Sequence, residues 1–211
     1  MMAAKSGKKR RRKSYMEEPV KIPADVLLMD AIVRTVAKKG VEGTSTRAIA
    51  AEAGHGLTDT VIYRFFSSKE ELMRKAFERE STAFMQQVEL LLQGLWENKI
   101  SREQRLRFLW HTVWTWLSQH KEACAFMIRY YYSASFDETA KKSYQTVWQP
   151  IADRLHELLP DTDTETLVYM ALEATASAIY PVCVGWRPDG AGASEYGFRR
   201  LNGLVNEFLS N

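Results

Sequence analysis

The stretch that decides how this chain folds is Thr44-Ser45-Thr46-Arg47-Ala48-Ile49-Ala50-Ala51-Glu52-Ala53-Gly54-His55-Gly56-Leu57-Thr58-Asp59-Thr60-Val61-Ile62-Tyr63-Arg64-Phe65-Phe66-Ser67-Ser68-Lys69-Glu70-Glu71-Leu72. It reads as two short helices joined by a glycine turn, with a third helix starting at once. The Ser and Thr residues at its front offer N-cap oxygens. Ile49, Ala50 and Ala53 fall on one side of the first helix. Gly54 and Gly56 bracket a turn that can hold positive φ. Thr58 is placed to cap the second helix, with Leu57, Ile62 and Phe66 inside and Asp59, Thr60, Tyr63 and Arg64 outside. A helix this short is not stable alone and must rest on its neighbours. Its outer side is rich in groups that hydrogen-bond to phosphates and base edges, which is the layout of a helix-turn-helix.

On that reading Thr58, Asp59, Thr60, Val61, Tyr63 and Arg64 face a DNA groove. Arg64 suits guanine or phosphate, Asp59 accepts from cytosine N4, and Val61 packs on a thymine methyl. Thr44, Thr46, Arg47, Tyr63 and Lys69 position phosphates. Lys69 begins the next helix, whose N-terminus attracts phosphate by itself.

The surrounding charge agrees. The 211 residues carry a net +3, but residues 1–80 hold 17 Lys/Arg against 11 Asp/Glu, and residues 81–211 hold 12 against 15. The positive pole is the one that carries the helix-turn-helix, an electrostatic footprint for a polyanion at one end. Residues 1–21 are a tail with the unbroken basic run Lys8-Lys9-Arg10-Arg11-Arg12-Lys13. It reads either as an arm along the phosphate backbone or as a solubilising segment.

The stretch resembles the TetR family of bacterial transcriptional regulators. The resemblance begins at Leu28-Met29-Asp30-Ala31-Ile32-Val33 and Ala37-Lys38-Lys39-Gly40. It runs through Thr44-Ser45-Thr46-Arg47-Ala48-Ile49-Ala50, Ala53-Gly54 and Val61-Ile62-Tyr63-Arg64-Phe65-Phe66 to Ser68-Lys69-Glu70-Glu71-Leu72. Two features depart from the family pattern. His55-Gly56 lengthens the turn by two residues, and Asp59-Thr60-Val61 stands where a basic or polar residue, a small residue and Thr are usual. The resemblance implies a repressor that leaves a palindromic operator when a small molecule binds, and Lys69 as a phosphate contact.

The rest of the chain reads as helices only, giving an all-α protein. The first helix is expected at about Pro23–Lys39 and the connector at Ser68–Trp96. Five more follow, at Ser101–His120, Glu122–Tyr132, Glu138–Leu159, Asp163–Val184 and Ser194–Leu209. Pro150 is expected to kink or split the seventh helix of the chain. The division expected is tail 1–21, DNA-binding domain 22–67, and a ligand-binding and dimerising bundle 68–211. A hydrophobic fraction of 45% and a charged fraction of 26% are globular values. No apolar run reaches transmembrane length; residues 165–184 come nearest, and Glu165, Glu173 and Pro181 favour a buried helix there. Cys124 and Cys183 read as buried thiols in a reducing cytoplasm, without a disulfide framework.

No catalytic or metal-ligand spacing is found, and no cofactor is expected. His55, His111, His120 and His156 share no ligand pattern with Cys or acids. What stands out is the aromatic content after residue 95: Trp96, Trp110, Trp114, Trp116, Trp148 and Trp186, with Tyr130, Tyr131, Tyr132, Tyr144, Tyr169 and Tyr180 added to them. These residues either fill a helical bundle or line a cavity for a flat or cationic organic molecule. The cavity reading names Trp110, Trp114, Met127, Tyr131, Tyr144, Trp148 and Met170, with Glu173 as an answer to a ligand cation. The resemblance further implies a homodimer in which the last two helices pair with their copies, through Ala171, Ala174, Ala178, Tyr196, Leu201, Leu204, Val205 and Phe208. Two other classes stay open at this stage: a nucleic-acid clamp with a protein-binding bundle, and an all-α enzyme using the aromatic pocket.

Overall fold

The computed structural model describes residues 22–96, 100–188 and 190–209. The basic tail, residues 97–99 and the side chain of Trp96 lie outside the described residues, and so does most of the break expected at Asn98–Ile100. The described residues form nine α-helices and no strand: α1 Ala24–Lys39, α2 Thr46–Ala53, α3 Asp59–Phe65, α4 Lys69–Trp96, α5 Arg102–Gln119, α6 Lys121–Tyr131, α7 Glu138–Leu158, α8 Thr164–Cys183 and α9 Ala191–Phe208.

Local chemistry sets where these helices start and stop. The Pro23 carbonyl opens α1 by accepting the Leu27 N–H at 3.1 Å. Gly40 closes the helix at φ +77°, its N–H donated to the Val36 carbonyl at 2.9 Å. Ser45 Oγ accepts the Ala48 N–H and caps α2. Ser67 and Ser68 start α4: Ser68 Oγ accepts the Glu71 N–H, and the Glu71 carboxylate accepts both the N–H and the hydroxyl of Ser67. Ser101 and Gln104 form a reciprocal capping box on α5. Asp137 and Asp163 cap α7 and α8. Helix α7 runs through Pro150 without splitting. Both Pro150 and Thr146, whose carbonyl loses its helical donor, are exposed, so the defect falls outside the core.

Two apolar cores hold the molecule together. One joins α1, α2, α3 and the first half of α4 around Leu28, Ile32, Ile49, Ile62 and Leu72. Each such buried aliphatic side chain contributes about 1.5–3 kcal/mol relative to exposure. The other joins α5, α7, α8, α9 and the second half of α4 around Trp110, Ile151, Val168, Ile179 and Phe198. Helix α6 belongs to both: Phe126 and Tyr130 enter the first core, Cys124 the second. The joint is aromatic. The ring of Phe77 on α4 meets Tyr130, Phe136 and Tyr144 edge to face at 5.2–5.3 Å. Burial pushes the Tyr130 hydroxyl up to about 12.

Helix α8 is long and apolar enough to cross a membrane in length and composition alone. It packs against α5, α6, α7 and α9 instead, as the central helix of the second core.

Candidate functional site

The first core presents α3 on its surface. Arg34 Nε and Lys38 Nζ both donate to Glu52 Oε1, at 2.8 and 3.2 Å, and pin α2 to α1. The Arg34 hydrogen bond, followed by Lys38, holds the Glu52 carboxyl below its ordinary value against the opposing effect of desolvation. The Leu57 N–H closes on the Gly54 carbonyl at 2.9 Å. His55 (φ +54°) and Gly56 (φ +70°) occupy the two central positions of that turn, the sign pattern of a type I′ turn. The lengthened turn therefore places a histidine where glycine or asparagine is favoured.

Ile62 and Phe66 anchor α3 inward, while Thr60, Tyr63 and Arg64 are exposed and Asp59 and Val61 half-buried. Thr58 stands at the N-cap without capping: its hydroxyl shares a 2.8 Å hydrogen bond with Thr60 Oγ1. Asp59 Oδ1 accepts the Thr60 N–H at 3.0 Å, so this carboxylate is engaged at its own helix start. Among the residues expected on phosphates, Arg47 is exposed and Thr46 half-buried. Thr44 turns inward: it is 2% exposed, donates its hydroxyl to the Gly40 carbonyl at 2.7 Å, and accepts Lys69 Nζ on its own carbonyl at 3.2 Å. It thereby fixes Lys69 rather than reaching outward. Phe65, which the sequence reading passed over, is 49% exposed at the end of α3. Its place beside Tyr63, outside the inward set of Leu57, Ile62 and Phe66, was the available signal.

The second core contains two cavities that share Phe84, Leu172 and Thr175 as a common wall. The larger, about 430 Å³, lies among α4, α5, α7, α8 and α9. Its walls are mostly aliphatic, with Arg102 and Arg105 as their only charged residues. Arg102 donates to Asn206 Oδ1 on α9 at 3.0 Å. The smaller, about 80 Å³, is lined by tyrosines, Phe77, Met127 and Glu173.

The residues expected to share one cavity are therefore divided. Trp110 lines the larger; Met127, Tyr131, Tyr144 and Glu173 line the smaller. Trp114 is packed in the core 5.4 Å from Trp110, Trp148 is half-buried against that core, and Met170 points outward. None of these last three lines either cavity. The arginines of the larger cavity were missed because a sequence search for aromatic surface does not register them.

With this geometry in view, comparison with known proteins is informative. Residues 28–76 match the profile of a family described as "Bacterial regulatory proteins, tetR family". That segment, which holds α2, α3 and the start of α4, is a TetR-family DNA-binding segment. Its helix-turn-helix is that of a DNA-binding transcriptional regulator. No curated protein matches the chain. Among solved structures, it is similar to a TetR family transcription regulator from Marinobacter aquaeolei VT8 (TM-score 0.64, 18% identity, 86% of this chain and 94% of that one). It is also similar to a TetR family transcription regulator from Shewanella sp. PV-4 (TM-score 0.67, 19% identity, 86% and 98%). A third is the transcriptional regulator FadR from Bacillus subtilis, solved in complex with stearoyl-CoA (TM-score 0.63, 15% identity, 85% and 97%). At these identities the likeness shows a shared fold along nearly the whole chain.

The residues expected at a dimer interface also divide. Ala178 and Leu201 are buried between α8, α9 and α5, and Ala171 and Val205 line the larger cavity. Tyr196 is exposed, and Ala174, Leu204 and Phe208 are half-buried. The two cysteines are neighbours despite their distance in sequence. A hydrogen bond with Cys183, then burial, raises the Cys124 thiol well above its ordinary value. Cys183 is half-buried, not fully buried as expected. Among the described residues no group of three or more His, Cys, Asp or Glu is placed to hold a metal ion.

Proposed function

We propose that this protein is a ligand-responsive regulator that reads a palindromic operator as a twofold dimer and leaves it when its larger cavity is filled. The exposed Thr60, Tyr63 and Arg64 face of α3, braced from behind by Ile62 and Phe66, carries the reading. Arg47 and Lys69 position phosphates on either side, and Thr58, Asp59 and Val61 complete the surface. Residues 22–67 form the reading head and 68–211 the bundle that senses and dimerises. Two copies meet through the outward stripe of α8 at Met170, Ala174 and Ser177 and through Tyr196, Leu204 and Phe208 of α9, because a twofold protein matches two major-groove half-sites. Repression is the default role. Its place of work is with DNA in the cytoplasm, and no catalytic step is assigned to it.

The ligand of the larger cavity is an apolar chain with an acidic head. Aliphatic walls favour the chain, and two arginines favour a carboxylate or phosphate. The stearoyl-CoA held by FadR supports that class. Filling the cavity acts on the head along α4, which runs without a break from the cavity wall to Lys69. The ligand shifts the equilibrium only by its differential affinity for the two dimer geometries.

The test is selection of bound sequences from a random DNA pool, followed by titration of the selected complex. A single palindrome should be recovered. A long-chain fatty acid should release the protein at lower concentration than the alcohol of equal length, and Arg105→Gln should narrow that difference. Recovery of no motif would overturn operator reading and favour a general nucleic-acid clamp. Equal release by acid and alcohol would overturn the acidic-head assignment.

A further inference from the structure

The smaller cavity has a chemistry that the ligand just described does not use. Its 80 Å³ corresponds to about five water positions at ~15 Å³ each, the size of a compact head group rather than a chain. Tyr131, Tyr132, Tyr144 and Tyr169 stand around it with Glu173, and its lining contains no Lys, Arg or His. The Tyr131 ring lies at 87° to that of Tyr132 and at 69° to that of Tyr144, so the rings form walls rather than a stack. Tyr132 is largely and Tyr169 half exposed, and they form the mouth; Tyr131 and Tyr144 form the interior. Tyr132 donates its hydroxyl to Glu173.

The phenols keep their protons. Burial, followed by the hydrogen bond with Tyr169, raises the Tyr131 hydroxyl, and burial, followed by the charge of Glu173, raises that of Tyr144. The only formal charge on this wall is therefore one carboxylate. A carboxylate without a basic partner in the wall, ringed by electron-rich aromatic groups, attracts a desolvated cation. A neutral guest of the same shape gains only its apolar contacts.

We propose that this cavity is a second ligand site, taking a small organic cation of the quaternary or tertiary ammonium class, with Glu173 as countercharge and the tyrosine rings as cage. Its recognition differs from that of the acidic ligand, because the residues that recognise the cation do not line the larger cavity, although the two cavities share the wall of Phe84, Leu172 and Thr175.

The experiment is isothermal titration calorimetry of the full-length protein at neutral pH. The probes are choline and its uncharged isostere, in which a quaternary carbon replaces the nitrogen. Choline should bind about tenfold or more tighter than the isostere. Glu173→Gln should remove most of that preference, and Tyr169→Ala should weaken choline binding several-fold. Absence of choline binding to the unmodified protein, or equal binding of the two probes, overturns the proposal. Should Glu173→Gln lower the melting temperature through loss of the Tyr132 bond, Tyr169→Ala decides. That ring is half-exposed, and unchanged choline affinity in this variant also overturns the proposal.

Discussion

Replacing Gly197 by alanine sets two known effects against each other. Glycine inside a helix costs about 1 kcal/mol relative to alanine, so propensity alone favours the substitution. The structure opposes it. A Cβ at Gly197 would lie 2.4 Å from Trp110 Cζ2, 2.5 Å from Trp110 Cη2 and 2.8 Å from Ala178 Cβ. Carbon atoms pack best at about 3.5–4.0 Å, so the neighbours must retreat by about 1 Å. Trp110 has little room to do so. It is 3% exposed, its indole N–H is donated to the Ser194 carbonyl at 2.9 Å, and Trp114 lies 5.4 Å away. Overpacking of this kind costs about 1–3 kcal/mol, and two rigid neighbours place it at the upper end. After the gain in propensity, Gly197→Ala should destabilise by about 1–2 kcal/mol. For a chain of this length that lowers the melting temperature by about 2–8 °C. Gly203 lies on the same helix with nothing within 4 Å of an added Cβ, so Gly203→Ala retains the propensity gain without the clash. The two variants compared by thermal and urea unfolding isolate the packing effect. If Gly197→Ala proved as stable as Gly203→Ala, the close crossing of α9 over Trp110 would be refuted.

Other outcomes follow from the reading head. His55→Gly should stabilise by about 0.5–1 kcal/mol, since positive φ costs an L-residue more than glycine loses in entropy, and urea midpoints check this. Glu52→Gln tests the link between α1 and α2. The Glu52 carboxyl is held below 4.5, so its contribution is present above that pH and disappears as pH falls through its lower folded value. The gap between wild type and variant should be less than about 1 kcal/mol at pH 7, because the pair is partly exposed, and should close in acid below pH 4.5. Arg64→Ala should cost about 1–3 kcal/mol and relax preference at one operator position. Arg47→Ala should weaken all sequences alike and reduce the salt slope by about one, as read by anisotropy titrations.

What was legible in the sequence is what local chemistry decides. The caps at Ser45, Ser68, Ser101, Asp137 and Asp163 and the stop at Gly40 are short-range signals, and the helix ends follow them closely. Where a side chain has two local partners, the sequence does not rank them: Thr58 binds Thr60 instead of capping α3. Ala191, Gly192 and Ala193 resemble a loop in isolation, yet they form the first turn of α9 behind Gly190. Counting aromatic residues led to a set that the fold divides between two cavities and the packed core. Whether a tryptophan lines space or fills it depends on which helices cross beside it, and Trp114 and Trp110, four residues apart, differ in that respect. The inward turn of Thr44 is equally invisible locally, because it depends on the Gly40 carbonyl and on Lys69 from the start of α4.

Helix α6 is the element whose importance only the assembled fold reveals. One side of this short helix, at Cys124, Met127, Ile128 and Tyr131, lines the smaller cavity. Its other side, at Ala123, Phe126 and Tyr130, is buried in the core of the reading head. Arg129 completes the attachment. Its guanidinium donates at 3.2 Å to the Val36 carbonyl at the end of α1 and at 3.2 Å to the Tyr180 hydroxyl on α8. The Val36 carbonyl also receives the Gly40 N–H, so the stop of α1 and the hold of α6 converge on one atom. Packed cores shift between discrete arrangements rather than deforming continuously. A guest that displaces α6 by a fraction of an ångström must therefore either break these contacts or carry α1 with it. Because α1 supports α2 and α3 through Ile32, Ile49 and Ile62, that choice would set the spacing of the two heads in the dimer proposed above. A chain joined only through α4 would leave the head free to tilt independently of α6; here the head shares its core with a cavity wall.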